Sequence, residues 1–224
     1  MTRIVKAPDE RRIEFVGTAQ RLFYTRGYEK TSVNDIINEV GVSKGAFYHY
    51  FGSKQDVLLA VVDNLVNQSL SLMQTVTDDP SLDAISKFNK TREMVSSWKV
   101  ERKAEMIAIA KMMTLDENMR LFITLKREGE KLFAPEWAKI ISQGVEEGVF
   151  ETDYPLETAK FLMSIMQSLG DEFLNIMLHP QDYEDPVKAA AAKFSAAQSA
   201  IERILNAPPE SLIFIDLEMI GAWF

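Results

Sequence analysis

Three side chains between positions 44 and 49 have the chemistry that contacts nucleic acid. Lys44 and Tyr48 are four residues apart, as are Gly45 and His49, so each pair shares one side of a helix. Lysine binds phosphate oxygens, tyrosine and histidine bind phosphates or base edges, and Gly45 lets a backbone approach a surface closely. This spacing indicates a short exposed helix of a size that fits the major groove of DNA.

The segment before this helix has the signals of another short helix followed by a tight turn. Thr31 or Ser32 can cap its start, and Asp35 can complete a capping box behind Ser32. Gly41 suits the left-handed backbone or the close packing that a turn requires. The sequence therefore predicts two short helices, at about 33–39 and 44–50, around a tight turn.

The second helix of this pair also has residues that would anchor it. Ser43 can cap its start with a side-chain oxygen. Phe47 and Phe51 are four residues apart and lie on a different side from Lys44 and Tyr48, so we expect them to enter a hydrophobic core.

The rest of the chain is typical of an all-α protein. No glycine occurs between Ser53 and Glu128, and no segment shows the sustained alternation that is typical of strands. Prolines fall where helices are expected to begin or end. The predicted helices cover about 9–26, 33–39, 44–50, 53–76, 82–97, 99–114, 117–132, 136–148, 155–178, 187–206 and 211–222.

The distribution of charge is more informative than its total. The 224 residues include 25 Lys and Arg against 33 Asp and Glu, a net charge of -8, which argues against coating nucleic acid by bulk positive charge. Residues 1–60 hold nine basic and seven acidic residues (net +2), whereas residues 61–224 hold 16 and 26 (net -10). This asymmetry indicates an N-terminal module that faces nucleic acid and an acidic body.

Composition excludes several classes of protein. Without cysteine, the chain has no disulfide, thiolate zinc site, iron–sulfur cluster or cysteine nucleophile. The two histidines, His49 and His179, are distant in sequence and no acid–nucleophile motif occurs, so we predict no enzyme, no catalytic residue, no metal site and no cofactor. The N-terminus lacks the apolar region of a signal peptide, and no stretch approaches about 18 apolar residues. We therefore expect a cytoplasmic protein with no membrane span.

Residues 10 to 60 resemble the DNA-binding domain of the tetracycline-repressor-like (TetR) family of transcriptional regulators. The resemblance implies a homodimer that binds double-stranded DNA at a palindromic operator and is released by a small-molecule effector, whose identity is unknown. The matching residues are Ala19, Leu22, Phe23, Gly27, Thr31, Ile36, Gly41–Gly45, Phe47–Phe51, Ser53 and Lys54.

The resemblance also implies roles for individual residues. Thr31 and Ser32 are expected to start the first motif helix beside a phosphate, and Lys54 to hold a phosphate from the start of the following helix. The second motif helix is expected to contact DNA directly. The complete predicted DNA-binding set is Thr31, Ser32, Ser43, Lys44, Gly45, Tyr48, His49 and Lys54.

We predict two domains: a three-helix helix-turn-helix domain over 1–52 and a larger helical ligand-binding and dimerisation domain over 53–224. Helix 53–76 is the expected linker. In the second domain, methionines and aromatics at helical spacing usually form core, but they are also typical of an adaptable effector pocket. The candidate pocket residues are Trp98, Met106, Ile109, Met113, Phe122, Trp137 and Met166.

The predicted helix 155–178 is apolar on nearly all sides, which indicates burial on more than one face. Together with helix 187–206 it is a candidate for a four-helix interface between two copies of the chain. The alternative is a core formed within one chain. The candidate interface residues are Phe161, Ile165, Phe173, Phe194 and Ile201.

The sequence thus favours a ligand-responsive, dimeric DNA-binding regulator, and repression is implied by the resemblance alone. The alternative is an architectural or protein-interaction DNA-binding factor without a small-molecule switch. A fully packed C-terminal domain with no cavity would favour that alternative.

Overall fold

The computed structural model describes residues 8–214 and 216–224, apart from the side chains of Pro8, Asp9 and Glu117. Within these ranges the chain is all-α and contains no β-strand, which confirms the predicted fold class. Two 3₁₀ helices cover Asp116–Asn118 and Pro180–Asp182. The α-helices are α1 (Pro8–Arg26), α2 (Val33–Val40), α3 (Lys44–Tyr50), α4 (Lys54–Thr77), α5 (Ala84–Glu101), α6 (Lys103–Met113), α7 (Met119–Glu146), α8 (Pro155–Leu178), α9 (Pro186–Leu205) and α10 (Leu217–Gly221).

The predicted helices 117–132 and 136–148 are in fact the single helix α7, with Pro135 in its interior. A proline inside a helix removes one backbone hydrogen bond, which made a break at this position the natural prediction. Pro135 itself is exposed, but Ala134, Glu136 and Trp137 beside it are buried. Tertiary packing therefore keeps the helix continuous across the proline.

The predicted helix 211–222 is also wrong over its first half. Residues 211–214 have no regular secondary structure, and α10 starts only at Leu217. The Asp216 side chain accepts a hydrogen bond from the Met219 N–H at 2.9 Å, so it caps a helix that begins after it.

Residue contacts divide the chain into two compact units. The first comprises the chain up to Gln68 together with Ala104–Lys126, and the second comprises Ser69–Lys103 and Arg127–Phe224. This packing does not follow the predicted boundary after residue 52, because the segment 104–126 packs with the N-terminal helices. The functional division into 1–52 and 53–224 stays a prediction.

The first unit has one hydrophobic core beneath α2 and α3. Its fully buried side chains include Phe15, Phe23 and Leu58, and Met112 and Met113 of α6 join the same cluster. The two short helices of the predicted motif thus rest on residues from α1, α4 and α6.

The second unit has a core in which α8 packs against α9. Its C-terminal segment is held by side chains of other helices. The Asn89 amide donates to the Ser211 carbonyl at 2.9 Å and accepts from the Ile213 N–H at 2.8 Å, and Glu202 accepts from the Leu212 N–H at 3.1 Å. Of the helices described, none has the length and apolar character needed to cross a membrane.

Candidate nucleic-acid interface

Helix α2 begins at a complete capping box, as the sequence predicts. Ser32 Oγ accepts from the Asp35 N–H at 3.1 Å, and the Asp35 carboxylate accepts from the Ser32 N–H at 2.7 Å. Hydrogen bonds from the side chain and backbone of Ser32 hold the pKa of the Asp35 carboxyl below its usual value. The two reciprocal bonds satisfy N–H groups that a helix start leaves without partners.

The turn between the two motif helices is only three residues long, from Gly41 to Ser43. Gly41 has φ 74° and ψ 38°, the left-handed conformation that a residue with a side chain rarely adopts, and its N–H donates to the Ile37 carbonyl at 3.0 Å. Ser43 then caps α3, because its Oγ accepts from the Ala46 N–H at 3.3 Å. Both caps that the sequence predicts are confirmed.

Two aromatic side chains fix how α3 is rotated about its axis. Phe47 is completely buried and Phe51 nearly so. The Phe15 ring meets both edge-on, with centroid distances of 5.5 Å to Phe47 and 6.1 Å to Phe51. Edge-to-face packing of this kind stabilises one relative orientation of the rings, so α3 presents a defined opposite face.

That face carries the residues predicted to contact nucleic acid. Lys44, Gly45, Tyr48 and His49 are all exposed, as is the cap residue Ser43. Lys44 Nζ lies 5.8 Å from the centroid of the Tyr48 ring, within the range of a cation–π contact. The space where Gly45 would carry a Cβ atom is open. A cation, a hydroxyl, an imidazole and a bare backbone segment thus share one surface.

The structure places two predicted contact residues differently. Thr31 is fully buried and its hydroxyl donates to the Gly27 carbonyl at 2.8 Å, so it secures the end of α1 and does not present the hydroxyl to a phosphate. The prediction was wrong for that side chain. Lys54 Nζ donates to the Tyr28 carbonyl at 3.0 Å and lies 3.9 Å from the centroid of the Tyr28 ring. An ammonium has three donors, so a phosphate contact by Lys54 stays a prediction.

The second unit contains a cavity of about 230 Å³ between α5, α8, α9 and the C-terminal residues. None of the seven predicted effector residues lines it. Instead its walls include Arg92, Ser96, Phe173, Phe194, Phe214 and Trp223. Sequence reasoning missed Arg92 and the C-terminal aromatics, for which the apolar composition of the tail was the available signal.

The predicted effector residues are divided between the two units. Met113 and Trp137 are buried in the cores of the first and second unit respectively, so they are structural residues of those cores. This outcome agrees with the ordinary reading of methionines and aromatics at helical spacing as core. Met106, Ile109 and Phe122 belong to the first unit, and Trp98 and Met166 to the second.

The predicted interface residues also differ in their exposure. Ile201 is completely buried in the core of the second unit and cannot contact a partner, so that assignment was wrong. Phe173 and Phe194 meet edge-on at 5.5 Å and line the cavity, and Ile165 packs against the core. Phe161, with 67% of its surface exposed, alone among the five offers a large apolar surface to solvent.

Two family models match the chain. The model of bacterial regulatory proteins of the tetR family matches residues 16–61, which contain α2 and α3. The model of the tetracyclin repressor-like C-terminal domain matches residues 110–192. The chain belongs to the TetR family. Residues 193–224, which supply Phe194, Phe214 and Trp223 to the cavity wall, lie outside both TetR models.

A TetR relative with a curated description is the helix-turn-helix transcriptional regulator EthR of Mycobacterium tuberculosis. It is 37% identical over 73 residues, which are 33% of this chain and 34% of EthR. The match thus spans about a third of that relative's length.

Two solved structures share the fold over most of the chain. A regulator from Pectobacterium atrosepticum has a TM-score of 0.67 at 19% identity and covers 89% of this chain and 96% of its own. SmeT, solved as a complex with triclosan, has a TM-score of 0.60 at 15% identity and covers 92% and 96%. TetR proteins are DNA-binding regulators and not enzymes, which confirms the prediction that this chain is not an enzyme.

Proposed function

We propose that this TetR protein is a ligand-responsive transcriptional repressor that binds a palindromic DNA operator as a homodimer. The exposed face of α3 is the observation that carries the proposal. Its Lys44, Tyr48 and His49 side chains project from a helix that Phe47 and Phe51 anchor in the core. Such a rigid polar face can enter a major groove without rearranging.

Each group on this face has its own role in DNA binding. Lys44 binds phosphate oxygens, Tyr48 and His49 bind phosphates or base edges, and the backbone at Gly45 approaches the DNA closely. The other amides at the start of α2, which the capping box does not use, bind a second phosphate beside exposed Ser32. In a dimer the two α3 helices would occupy successive major grooves, roughly 34–36 Å apart.

The dimer is proposed to form through α8 and α9. Exposed apolar side chains occur on both helices, at Leu156 and Phe161 on α8 and at Ile204 on α9. Ala192 and Ala196 are exposed and one helical turn apart on α9, so a second helix can approach closely there. Two helices from each copy form a self-complementary interface of the kind that two-fold symmetry requires.

The cavity in the second unit supports a small-molecule switch over an architectural factor that has none. SmeT, which shares the fold, was solved with triclosan bound. For release, the effector must bind the arrangement that is incompetent for DNA more tightly, and DNA must then weaken effector binding by the same factor. A cytoplasmic location stays a prediction.

The DNA-binding part is tested by selecting bound sequences from random DNA and measuring affinity for the selected site by fluorescence anisotropy. K44A and Y48A should weaken binding by about 1–3 kcal/mol, which is roughly 5-fold to 150-fold. The matched controls K90A and Y154A remove an exposed lysine of α5 and an exposed tyrosine that precedes α8, and both variants should bind as the unmodified protein does. The proposal fails if no sequence is enriched, or if K44A and Y48A leave affinity unchanged.

The switch is tested by screening compounds for release of the selected DNA, then measuring effector affinity with and without DNA. Unequal affinities are expected; equal affinities would exclude the switch and leave a DNA-binding factor. A reporter gene downstream of the selected site then separates repression from activation.

A further inference from the structure

Arg92 of α5 lies in the wall of the cavity without a carboxylate partner. Among the described residues it forms no ion pair, and its guanidinium Nε is buried with no hydrogen-bond partner. One guanidinium nitrogen donates to the Phe214 carbonyl at 3.2 Å, and Cζ lies 4.2 Å from the centroid of the Phe214 ring. One terminal nitrogen of the guanidinium is thus held in place, while the Nε–H has no acceptor.

A buried cation in this state is energetically costly. Burial lowers the pKa of the Arg92 guanidinium to about 10, so the group stays charged at neutral pH. A buried charge normally has a partner of opposite sign, because water no longer stabilises it. The two acidic residues that line the same cavity do not supply one: Asp216 caps α10, and Glu93 is exposed.

The rest of the wall is apolar and mainly aromatic. Phe173 contacts Phe194 edge-on at 5.5 Å and Trp223 edge-on at 5.8 Å, and these rings form one side of the cavity. The volume of about 230 Å³ lies below the ~300–1,000 Å³ of sites for drug-sized ligands. A compact body, such as one aromatic ring or a short branched hydrocarbon chain, fits these dimensions.

We propose that this cavity binds a small monocarboxylate with an apolar body, whose carboxylate pairs with Arg92 and whose body packs among the rings of α8, α9 and the C-terminal segment. A carboxylate matches the planar fork of one guanidinium and neutralises its single charge. The inference that this carboxylate is the effector rests on the proposed switch. The inference that the cavity binds it does not.

The C-terminal segment supplies part of the site from outside the matched family models. Phe214 and Trp223 belong to the region beyond residue 192, where the C-terminal family model ends. The side chains of Asn89 and Glu202 hold the backbone at residues 211–213. A ligand between Arg92 and Trp223 would therefore add contacts that hold the segment in place, and we expect slower amide exchange there when the site is filled.

The test is isothermal titration of the full chain, without DNA, with phenylacetate and benzoate against their neutral amides, phenylacetamide and benzamide. The acids should bind and the amides, which have nearly the same shape, should bind at least about 10-fold more weakly, because only the acids form the charge-assisted pair. R92M, which keeps much of the side-chain volume, should lose acid binding by a similar factor. R203M removes an exposed arginine of α9 and should leave acid affinity unchanged.

A second variant keeps the test decisive if R92M does not fold, as judged by circular dichroism. S96F fills the cavity and leaves Arg92 in place, and it should abolish acid binding. The site is disproved if acids and amides bind equally, if R92M or S96F binds acid as the unmodified protein does, or if neither acid binds at millimolar concentration.

The same acids are then added to the protein–DNA complex. Release of the selected DNA supports the carboxylate as effector. Acid binding that leaves the DNA affinity unchanged supports the site and contradicts only its role in the switch.

Discussion

The α2–α3 pair and the C-terminal cavity differ in the range of the contacts that build them. The hydrogen bonds that cap α2 and α3 join residues three apart, from Ser32 to Asp35 and from Ser43 to Ala46. Those that build the cavity wall join residues 122 positions apart, from Asn89 to Ser211 and from Arg92 to Phe214. The ends of α2 and α3 are therefore fixed by local contacts, whereas the cavity forms only when distant segments of the chain meet.

This difference has consequences for dynamics and function. A helix whose ends are capped locally keeps its geometry as long as its core face stays packed. The C-terminal segment is held instead by packing of Leu212 and Phe214 in the core of the second unit and by the side chains of Asn89 and Glu202. The ends of α3 are thus fixed locally, whereas the cavity wall depends on contacts between distant segments.

The largest expected effect tests whether the local caps alone are enough to keep α3 folded. F47A removes a fully buried ring of the first unit and should lower the free energy of unfolding by about 3–5 kcal/mol in urea denaturation. Y48A, at the next position and half exposed, should change it by less than about 0.5 kcal/mol. Similar losses for both variants would show that the inward and outward faces of α3 are misassigned.

The next effect concerns the two hydrogen bonds between Asn89 and the C-terminal segment, here called the Asn89 clamp. N89A removes two hydrogen bonds to the C-terminal segment and should cost about 1–3 kcal/mol, since each bond contributes about 0.5–1.5 kcal/mol. Hydrogen exchange should accelerate over residues 211–224 and not in α3. The exposed neighbour variant K90A is the control, and unchanged exchange in N89A would contradict the clamp.

A third prediction uses pH on another long-range contact, between α4 and α7. The buried Glu136 carboxylate accepts hydrogen bonds from Thr77 at 2.9 Å, Gln74 at 3.2 Å and Lys139 at 2.8 Å. Burial raises the pKa of Glu136. The hydrogen bonds from Lys139, Gln74 and Thr77 lower it by more than burial raises it, so the net pKa is below the ordinary 4.5. The stabilisation is therefore complete above pH 4.5 and is lost as the pH falls through the lower, folded-state pKa.

E136Q should accordingly cost about 1–2 kcal/mol near neutral pH, and the difference from the unmodified protein should shrink as the pH falls below about 4.5. Thermal unfolding across a pH series measures this. A difference that stays constant down to the acid limit would show that the charge of Glu136 does not contribute.

The smallest effect tests the local side of the comparison. S32A removes the α2 cap and should cost about 1 kcal/mol in thermal unfolding. N34A changes an exposed residue two positions further and should not destabilise the protein. If S32A costs more than N89A, the local contacts are the stronger ones and the comparison is reversed.

The exposed face of α3 could be predicted from the sequence because exposure and burial on a short helix follow from helical periodicity. Phe47 and Phe51 share the inward face, which leaves Lys44, Tyr48 and His49 outward, as the structure shows. Thr31 and Ser32 could not be told apart in this way. Either side chain can cap a helix. Thr31 is buried because the end of α1 lies beside it, where its hydroxyl donates to the Gly27 carbonyl.

The C-terminal unit was less predictable because its apolar residues have several possible neighbours. A helix that is apolar nearly all round does not indicate which side chain meets the core, which lines a cavity and which faces a partner. The structure buries Ile201, places Phe173 and Phe194 in the cavity wall and exposes Phe161. Pro135 predicts a helix end for a similar reason, because the sequence does not show that the residues on both sides of it are buried.

Four features thus follow from the sequence alone: the all-α class, the two capped helices, the turn at Gly41 and the polar face of α3. These features depend on backbone preferences and on spacings of three or four residues, which neighbouring positions decide together. The tertiary structure was needed to show that the Arg92 Nε is buried without a hydrogen-bond partner and that Arg92 lines one pocket with Phe214 and Trp223. Burial and charge pairing depend on which distant segments meet, and no local spacing specifies that.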